Sequence, residues 1–140
     1  MLSEKERRSR WLLLNICLLG GALLTFIGIR YFLVPHAAAR TFGVPGRPTG
    51  FELHYILGLR NVWLGLLAVA LALMREWRGL ALWFAGATVV CFSDAWIASR
   101  SLGGLPAITF HVASGAISLV LGILCWRTAR RAAKAALMPE

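Results

Sequence analysis

Four apolar stretches, each about 20 residues long, occupy most of this sequence and decide in which solvent it can fold. Hydrophobic residues make up 59% of the 140-residue chain, and its mean hydropathy is +0.70. A water-soluble core of this size could not bury so much apolar surface, so most of that surface must face lipid. The sequence therefore predicts one membrane domain over residues 1–140. We expect an all-α transmembrane four-helix bundle with spans at residues 11–34, 53–74, 79–98 and 105–126.

The connections between the predicted spans contain residues that end helices. Pro35 ends the first span, and prolines and glycines interrupt residues 35–51, within which residues 36–42 are expected to form a turn of interfacial helix. A short polar connection at residues 75–78 joins the second and third spans as a helical hairpin, and Pro106 suits the first turn of the fourth. The N-terminus has features of a signal peptide, but its apolar run is too long and no A-x-A site follows. We expect it to remain as a helix.

Lysine and arginine are distributed unequally between the two sides of the predicted bundle. The side of the termini carries ten, namely Lys5, Arg7, Arg8, Arg10, Arg75, Arg78, Arg127, Arg130, Arg131 and Lys134, and the other side carries Arg40, Arg47 and Arg100. The positive-inside rule therefore predicts a multi-pass protein of the cell membrane, an inner membrane protein, with both termini cytoplasmic. The formal net charge of +9 is then explained by anionic headgroups of the lipid bilayer, and we expect no nucleic acid partner.

Three ionisable residues lie inside different predicted spans at a similar depth from the outer side. With a rise of about 1.5 Å per residue, Arg60, Asp94 and His111 lie roughly 10, 6 and 8 Å below the outer ends of their spans. The inner halves of the spans are almost wholly apolar, with Asn15 as the main exception. Ionisable groups at membrane depth are costly, so this asymmetry predicts a polar pocket that opens toward the outer side.

Helical spacing adds neighbours to the predicted pocket. It places Ser114 on the same small and polar stripe as His111, and Asn61 on the same face as His54. The residues near the mouth of the pocket are Glu52, His54 and Tyr55. We assign catalytic acid/base roles to Asp94 and His111. The predicted ligand-binding residues are Arg60, Asn61, Glu52, His54, Tyr55 and Ser114.

Each of these polar residues also has a purely structural interpretation. Arg60 and Asp94 could form an interhelical ion pair, and His111 could make a hydrogen bond across helices. His54 could be an interfacial residue, and Arg30 is expected to extend toward the outer headgroups. Whether the protein is an enzyme therefore stays open from the sequence.

Neither a cofactor nor a metal site is predicted. His54 and His111 are the two histidines at plausible depths for haem ligands, and no surrounding pattern supports a haem. Cys17, Cys91 and Cys125 lie singly in apolar stretches, with no CxxC pair to carry thiol chemistry. All three are predicted to be small core residues.

The order of several short motifs points to a family. The first span is followed by Pro35, Ala38, Ala39, Phe42, Gly43, Val44 and Pro45, then by Gly58, Leu59, Arg60 and Asn61, by Leu64, Gly65 and Leu66 one turn later, and by a single Asp94 and a single His111. This arrangement resembles the DoxX-like group of small four-helix membrane proteins, particularly its branches of unassigned function. The resemblance covers almost the entire chain and implies a compact bundle with a polar cluster of Arg60, Asp94 and His111. Some DoxX-like members are associated with quinol oxidation or with sulfur and redox stress.

Three hypotheses of function follow. The first is a site for a small amphiphilic or lipid-soluble molecule in the outer half of the bundle, with acid/base chemistry such as proton transfer or addition of water. The second is a non-catalytic accessory subunit of a larger membrane protein complex, with membrane-protein partners or further copies of this chain as contacts. The third is a small transporter component, which lacks support because no helices in paired positions are interrupted by glycine or proline.

Overall fold

The computed structural model describes residues 3–44, 50–101 and 104–137. Within these residues the chain is helical and contains no strand. The described helices are α1 (Glu4–Leu33), α2 (Pro35–Phe42), α3 (Glu52–Leu73), α4 (Trp77–Arg100) and α5 (Leu105–Ala136). The helices α1, α3, α4 and α5 are each long and apolar enough to cross a membrane. The prediction of an all-α protein with four membrane-crossing helices is therefore confirmed.

Two of the long helices, α1 and α5, extend well beyond the predicted spans, whereas α3 and α4 end within two residues of them. Helix α1 begins at Glu4 rather than near Trp11, because Ser3 and Glu6 form a capping box in which each side chain bonds the other's backbone N–H. Helix α5 ends at Ala136 rather than near Trp126. Its last turns consist mainly of alanine, arginine and lysine, which favour helix in water as well as at a membrane surface.

The short helix α2 lies where a turn of interfacial helix was predicted. Pro35 ends α1 as expected, because it lacks the N–H that the helix would need, and it occupies the first turn of α2. Gly43 ends α2 with a φ of 99°, a left-handed conformation that glycine adopts without steric cost. The predicted breaks at residues 45–49, Arg47 in the charge count, and part of the predicted turn at residues 102–103 lie outside the described residues.

The four long helices form two closely packed pairs. Helix α1 packs along α3 and helix α4 along α5, whereas the contacts between the two pairs are few. We call the end of the bundle that holds the start of α1, the α3–α4 connection and the end of α5 the terminal end. The opposite end, which holds α2 and the start of α3 and of α5, is the loop end.

The connection between α3 and α4 is a tight turn at the terminal end. Its backbone N–H groups bond back to the last carbonyls of α3, with Glu76 N donating to Leu71 O at 2.9 Å. Arg75 has a φ of 57°, a left-handed conformation that is strained for a side chain other than glycine. The polar connection that was predicted between the second and third spans is therefore a hairpin of three residues, Met74 to Glu76.

A buried apolar cluster joins all four long helices in the terminal half. Its members are Leu13, Cys17, Ala72, Leu80, Ala81, Phe84, Leu121 and Cys125. Cys17 on α1 and Cys125 on α5 are both fully buried, and Cys91 is half-buried. The sulfurs of Cys17 and Cys125 lie 3.9 Å apart. The prediction of small core residues is confirmed for Cys17 and Cys125. Their approach to each other was not predicted, because the two residues are 108 positions apart in the chain and form no CxxC motif.

Candidate functional site

His111 connects helix α5 to the end of α2 at the loop end. Its side chain is buried, and its Nε2 lies 3.0 Å from the carbonyl oxygen of Phe42. A carbonyl can only accept, so Nε2 carries the proton and donates it. The rings of His111 and Phe42 also meet edge to face, with centroids 4.7 Å apart. His111 thus holds α2 against α5.

The Phe42 carbonyl is available for this contact because of its position in α2. The last carbonyls of a helix have no partner within the helix, and Gly43 N bonds only the carbonyls of Ala39 and Arg40. The histidine therefore satisfies a group that the helix end leaves open. Sequence reasoning could find the end of α2 from Gly43, but it had no signal for a partner 69 residues away.

Arg30 provides a second connection to α2, from helix α1. Its Nη2 donates to Thr41 Oγ1 at 3.4 Å, and the Thr41 hydroxyl donates to Ala37 O at 2.9 Å. The side chain of Arg30 therefore extends toward the loop end and contacts α2 there. Both helix pairs thus contact α2, one through Arg30 and the other through His111.

His54 is buried near the start of α3, among aromatic rings. Its centroid lies 6.3 Å from that of Tyr31 on α1 and 6.0 Å from that of Phe51. Only 9% of His54 and 3% of Tyr31 are exposed. The Nδ1 atom of His54 is buried and has no hydrogen-bond partner in the described part of the chain. Tyr31 was missed from the sequence, although its spacing of three residues after Gly28 places it on the face that packs against α3.

Arg60 and Asp94 lie near one another without forming an ion pair in the part of the chain that the structure describes. Asp94 is half-buried on α4, and Arg60 is exposed on α3. Asp94 lies within electrostatic range of His111 and Arg60, and Tyr31 lies within that range of Asp94, Arg60 and Arg30. The loop-end cluster, which we define as Tyr31, His54, Arg60, Asp94 and His111, therefore draws on all four long helices.

The remaining predicted site residues lie at the edge of this cluster. Glu52 and Tyr55 are exposed on the first turn of α3, where the ring of Tyr55 stacks on that of Phe32 with centroids 5.6 Å apart. Asn61 on α3 and Ser114 on α5 are half-buried. The structure thus places these four outside the group of buried rings around His54.

The terminal half contrasts with the loop end in its chemistry. Asn15, the main polar residue of this half, donates to Trp11 O of its own helix at 2.8 Å. Two open depressions lie there, one of about 320 Å³ that includes Arg75, Trp77 and Arg78, and one of about 350 Å³ beside Arg7, Arg8 and Trp11. Both are lined mainly by the charged and aromatic residues that flank the spans.

The cluster at the loop end offers proton donors and acceptors rather than a metal site. In the described ranges, no group of three or more histidine, cysteine, aspartate or glutamate side chains could hold a metal ion. The available groups are the His54 imidazole, the Tyr31 hydroxyl, the Asp94 carboxyl and the Arg60 guanidinium. Such a set can bind a carbonyl or hydroxyl oxygen and can exchange a proton with it.

Comparison with known proteins gives a family and no function. No curated protein and no solved structure matches the chain. Residues 21–125 match the family described as Domain of unknown function (DUF4267). The match begins with Gly21 at the α1–α3 contact, contains the whole loop-end cluster, and ends at Cys125. Since it covers well over half of the chain, this protein belongs to the DUF4267 family.

Proposed function

We propose that the loop-end cluster binds the polar head of a small amphiphilic or lipid-soluble molecule. The observation that carries this proposal is the buried Nδ1 of His54, which has no hydrogen-bond partner among the described residues. A buried polar atom without a partner costs about 1–3 kcal/mol, so such atoms call for a specific reason. A bound molecule would supply the missing partner. A hydroxyl group could donate to Nδ1, and a hydroxyl or carbonyl oxygen could accept from Nδ1 if that atom carries the proton.

Arg60 and Asp94 support the same interpretation through their charges. Ionisable groups within membrane-crossing helices cost about 2.5–3.5 kcal/mol each on insertion scales, and pairing is the usual way to offset this cost. Here the two groups lie within electrostatic range but form no ion pair in the described part of the chain. A ligand head between them would accept from the guanidinium and share a proton with the carboxyl.

The apolar surfaces of the long helices favour a ligand with a hydrocarbon tail. Below the loop-end cluster the helices expose large apolar side chains, including Leu66, Val89 and Val90. A molecule with its head at the cluster could lay its tail along these surfaces toward the middle of the membrane. The ligand class is therefore amphiphilic rather than ionic and water-soluble.

Acid/base chemistry is the reaction class that these groups could support. Asp94 is the proposed proton acceptor. His111 uses Nε2 to hold Phe42, so only its Nδ1 is free to exchange a proton with a ligand. In this proposal His54 and Arg60 bind and orient the head group.

The orientation and the wider family belong to the same proposal. With both termini cytoplasmic, as the distribution of arginine and lysine favours, the loop end and its cluster face the outer side of the cell membrane. We further propose that the DoxX-like resemblance reflects a shared bundle with a polar cluster at corresponding positions. A reporter active only outside the cytoplasm should stay inactive when fused after Glu140, and its activity would overturn this orientation.

The test is an inventory of small molecules that remain bound after purification in mild detergent. We expect mass spectrometry to find one lipid-like species enriched over the bulk lipids in the wild-type protein. The variants His54→Phe and Asp94→Leu should each lose it while keeping their helical content. Arg100→Leu, which removes a loop-end charge outside the cluster, is the matched control and should retain it. An inventory that is identical for all four proteins would refute the proposal.

The electrostatic coupling between Arg60 and Asp94 can be tested separately. Arg60→Leu and Asp94→Leu should each lower thermal stability, and the double variant should recover much of that loss, because no single charge is then left alone. If the two groups also bind the ligand head, the recovered double variant should still lack the bound molecule. Independent and additive losses of stability would show that the two charges do not interact.

A second candidate function is that of an accessory subunit, and one exposed side chain favours it. Trp63 is 64% exposed and lies in the middle of α3, about 16 Å from its start. Tryptophan normally prefers the membrane interface to its centre, so an exposed indole at this depth suits a contact with another membrane helix. Trp63→Leu should then release a co-purifying membrane protein or dissociate an oligomer without removing a bound lipid.

A further inference from the structure

Cys17 and Cys125 are adjacent at the point where the two helix pairs meet. Cys17 belongs to α1 and Cys125 to α5, and these two helices make few other contacts. Both thiols are fully buried in the apolar cluster of the terminal half, with their sulfurs 3.9 Å apart. Among the described residues they form a dithiol that joins one helix pair to the other.

The distance between the sulfurs is short enough for a covalent bond after a small adjustment. A disulfide needs about 2.05 Å between sulfurs, so the two must approach by about 2 Å. Rotation of the two side chains and a small shift of α1 against α5 can supply this movement, because the contacts between the pairs are few. No rearrangement within either pair is needed.

The surroundings of the dithiol decide which oxidants can reach it. The neighbours are leucine, alanine and phenylalanine side chains, and the outer faces of these helices contact lipid. Charged, water-soluble thiol reagents such as glutathione do not enter such a region. A neutral oxidant that dissolves in the membrane does.

We propose that Cys17 and Cys125 form a redox-active dithiol that organic hydroperoxides of the lipid phase convert to a disulfide between α1 and α5. In the first step one sulfur attacks the terminal peroxide oxygen and the O–O bond breaks. This gives a sulfenic acid on that cysteine, and the alkoxide leaves as an alcohol with the thiol proton. The second sulfur then attacks the sulfenic sulfur, the S–S bond forms, and hydroxide leaves as water with the second thiol proton. The two thiols lose two electrons, and the hydroperoxide gains them.

The expected consequence is a bond that fixes the two helix pairs to each other in the terminal half. Residues 17 and 125 enclose most of the chain, so the bond restricts the unfolded chain over a long loop. The oxidised protein should therefore unfold at a higher temperature than the reduced one. Cys91, half-buried on α4 and without a thiol partner in the described structure, takes no part in this reaction.

In the experiment, the 140-residue protein in lipid nanodiscs is treated with cumene hydroperoxide, and its free thiols are then counted with a maleimide-polyethylene glycol in denaturant. The wild type should go from three labelled cysteines to one, and Cys91→Ser from two to none. Cys17→Ser and Cys125→Ser should each keep both remaining labels or lose them roughly tenfold more slowly, because proximity drives the second step. A reductant should restore every label.

Peptide mapping of the wild type tests the proposal even if a cysteine variant fails to fold. Complete tryptic digestion without reductant should yield the peptide of residues 11–30 linked to that of residues 101–127, with the mass of two hydrogen atoms lost. Three retained labels in the oxidised wild type would overturn the proposal. A disulfide between two copies of the chain would also overturn it. An equal loss of labelled cysteines in protein that is unfolded in detergent before the same treatment would do so too.

Discussion

Both helix pairs contain glycines at regular helical spacing, but the facing helix lies closer to these glycines in one pair than in the other. In the α1–α3 pair, a Cβ added at Gly28 would lie 2.6 Å from Val62 N and 2.7 Å from Gly58 O. In the α4–α5 pair, a Cβ added at Gly122 would lie 3.4 Å from Phe84 Cβ, which is ordinary contact. At these glycines the α1–α3 pair is therefore in backbone-to-backbone contact. In the α4–α5 pair the side chain of Phe84 lies against the glycine backbone.

This difference shows what each pair contributes to the molecule. Close backbone approach in α1–α3 leaves little freedom of rotation, and this pair holds Tyr31 beside His54. The α4–α5 pair is spaced by aromatic side chains such as Phe84 and carries Asp94 and His111. Because the contacts between the pairs are few, the loop-end cluster is assembled from two separately packed halves. One half is held by backbone contact at its glycines, and in the other a side chain faces the glycine.

The largest expected effect comes from adding one methyl group to the α1–α3 contact. Gly28→Ala should destabilise the protein by about 1–3 kcal/mol, because backbone atoms of α3 must move to make room. The measurement is thermal or denaturant unfolding in detergent. Gly20→Ala is the matched control on the same helix, since a Cβ at Gly20 meets nothing within 4 Å, and it should change stability by less than about 0.5 kcal/mol.

The same substitution in the other pair sharpens the comparison. Gly122→Ala should be close to neutral or slightly stabilising, because alanine favours helix more than glycine and the site has room. If Gly122→Ala lowers the stability of the protein as much as Gly28→Ala does, the α4–α5 pair is packed as closely at its glycines as the α1–α3 pair.

A smaller effect is expected where the two pairs share helix α2. His111→Phe keeps an aromatic ring but removes the donor to Phe42 O, which should loosen α2 by about 1 kcal/mol. Amide hydrogen exchange in residues 35–42 measures this directly. Arg30→Leu removes the longer 3.4 Å contact to Thr41 and should raise exchange less than His111→Phe does. The reverse order would make the α1–α3 pair the main support of α2.

The smallest expected effect concerns pH at the start of α1. Hydrogen bonds from the Ser3 backbone N–H and hydroxyl, followed by the charges of Arg131 and Arg10, lower the pKa of Glu6 below its ordinary value near 4.5. The ionised carboxylate therefore stabilises the capped helix above that value, and this contribution is lost as the pH falls through the lowered pKa. A carbon-detected NMR titration of Glu6 should show the depressed pKa in the wild type and a more ordinary one in Ser3→Ala. Equal pKa values of Glu6 in the two proteins would show that the capping box does not lower this pKa.

Much of the fold could be predicted from the sequence because the signals for it are local. A run of apolar residues of membrane length is favourable in lipid whatever its neighbours are, so the four long helices follow from the sequence alone. Pro35 and Gly43 bound α2 through their own backbone chemistry. The depth of Arg60, Asp94 and His111 along their helices also follows directly from the rise per residue.

The tertiary structure alone decided which of these residues meet. The contact of His111 with Phe42, the burial of His54 against Tyr31, and the approach of Cys17 to Cys125 each join segments far apart in the chain. Such contacts depend on the rotation of each helix about its axis and on which helices pair. Close packing between glycine-bearing faces and aromatic side chains sets the rotation of each helix and the choice of its partner. The apolar pattern that determines the spans contains no information on either.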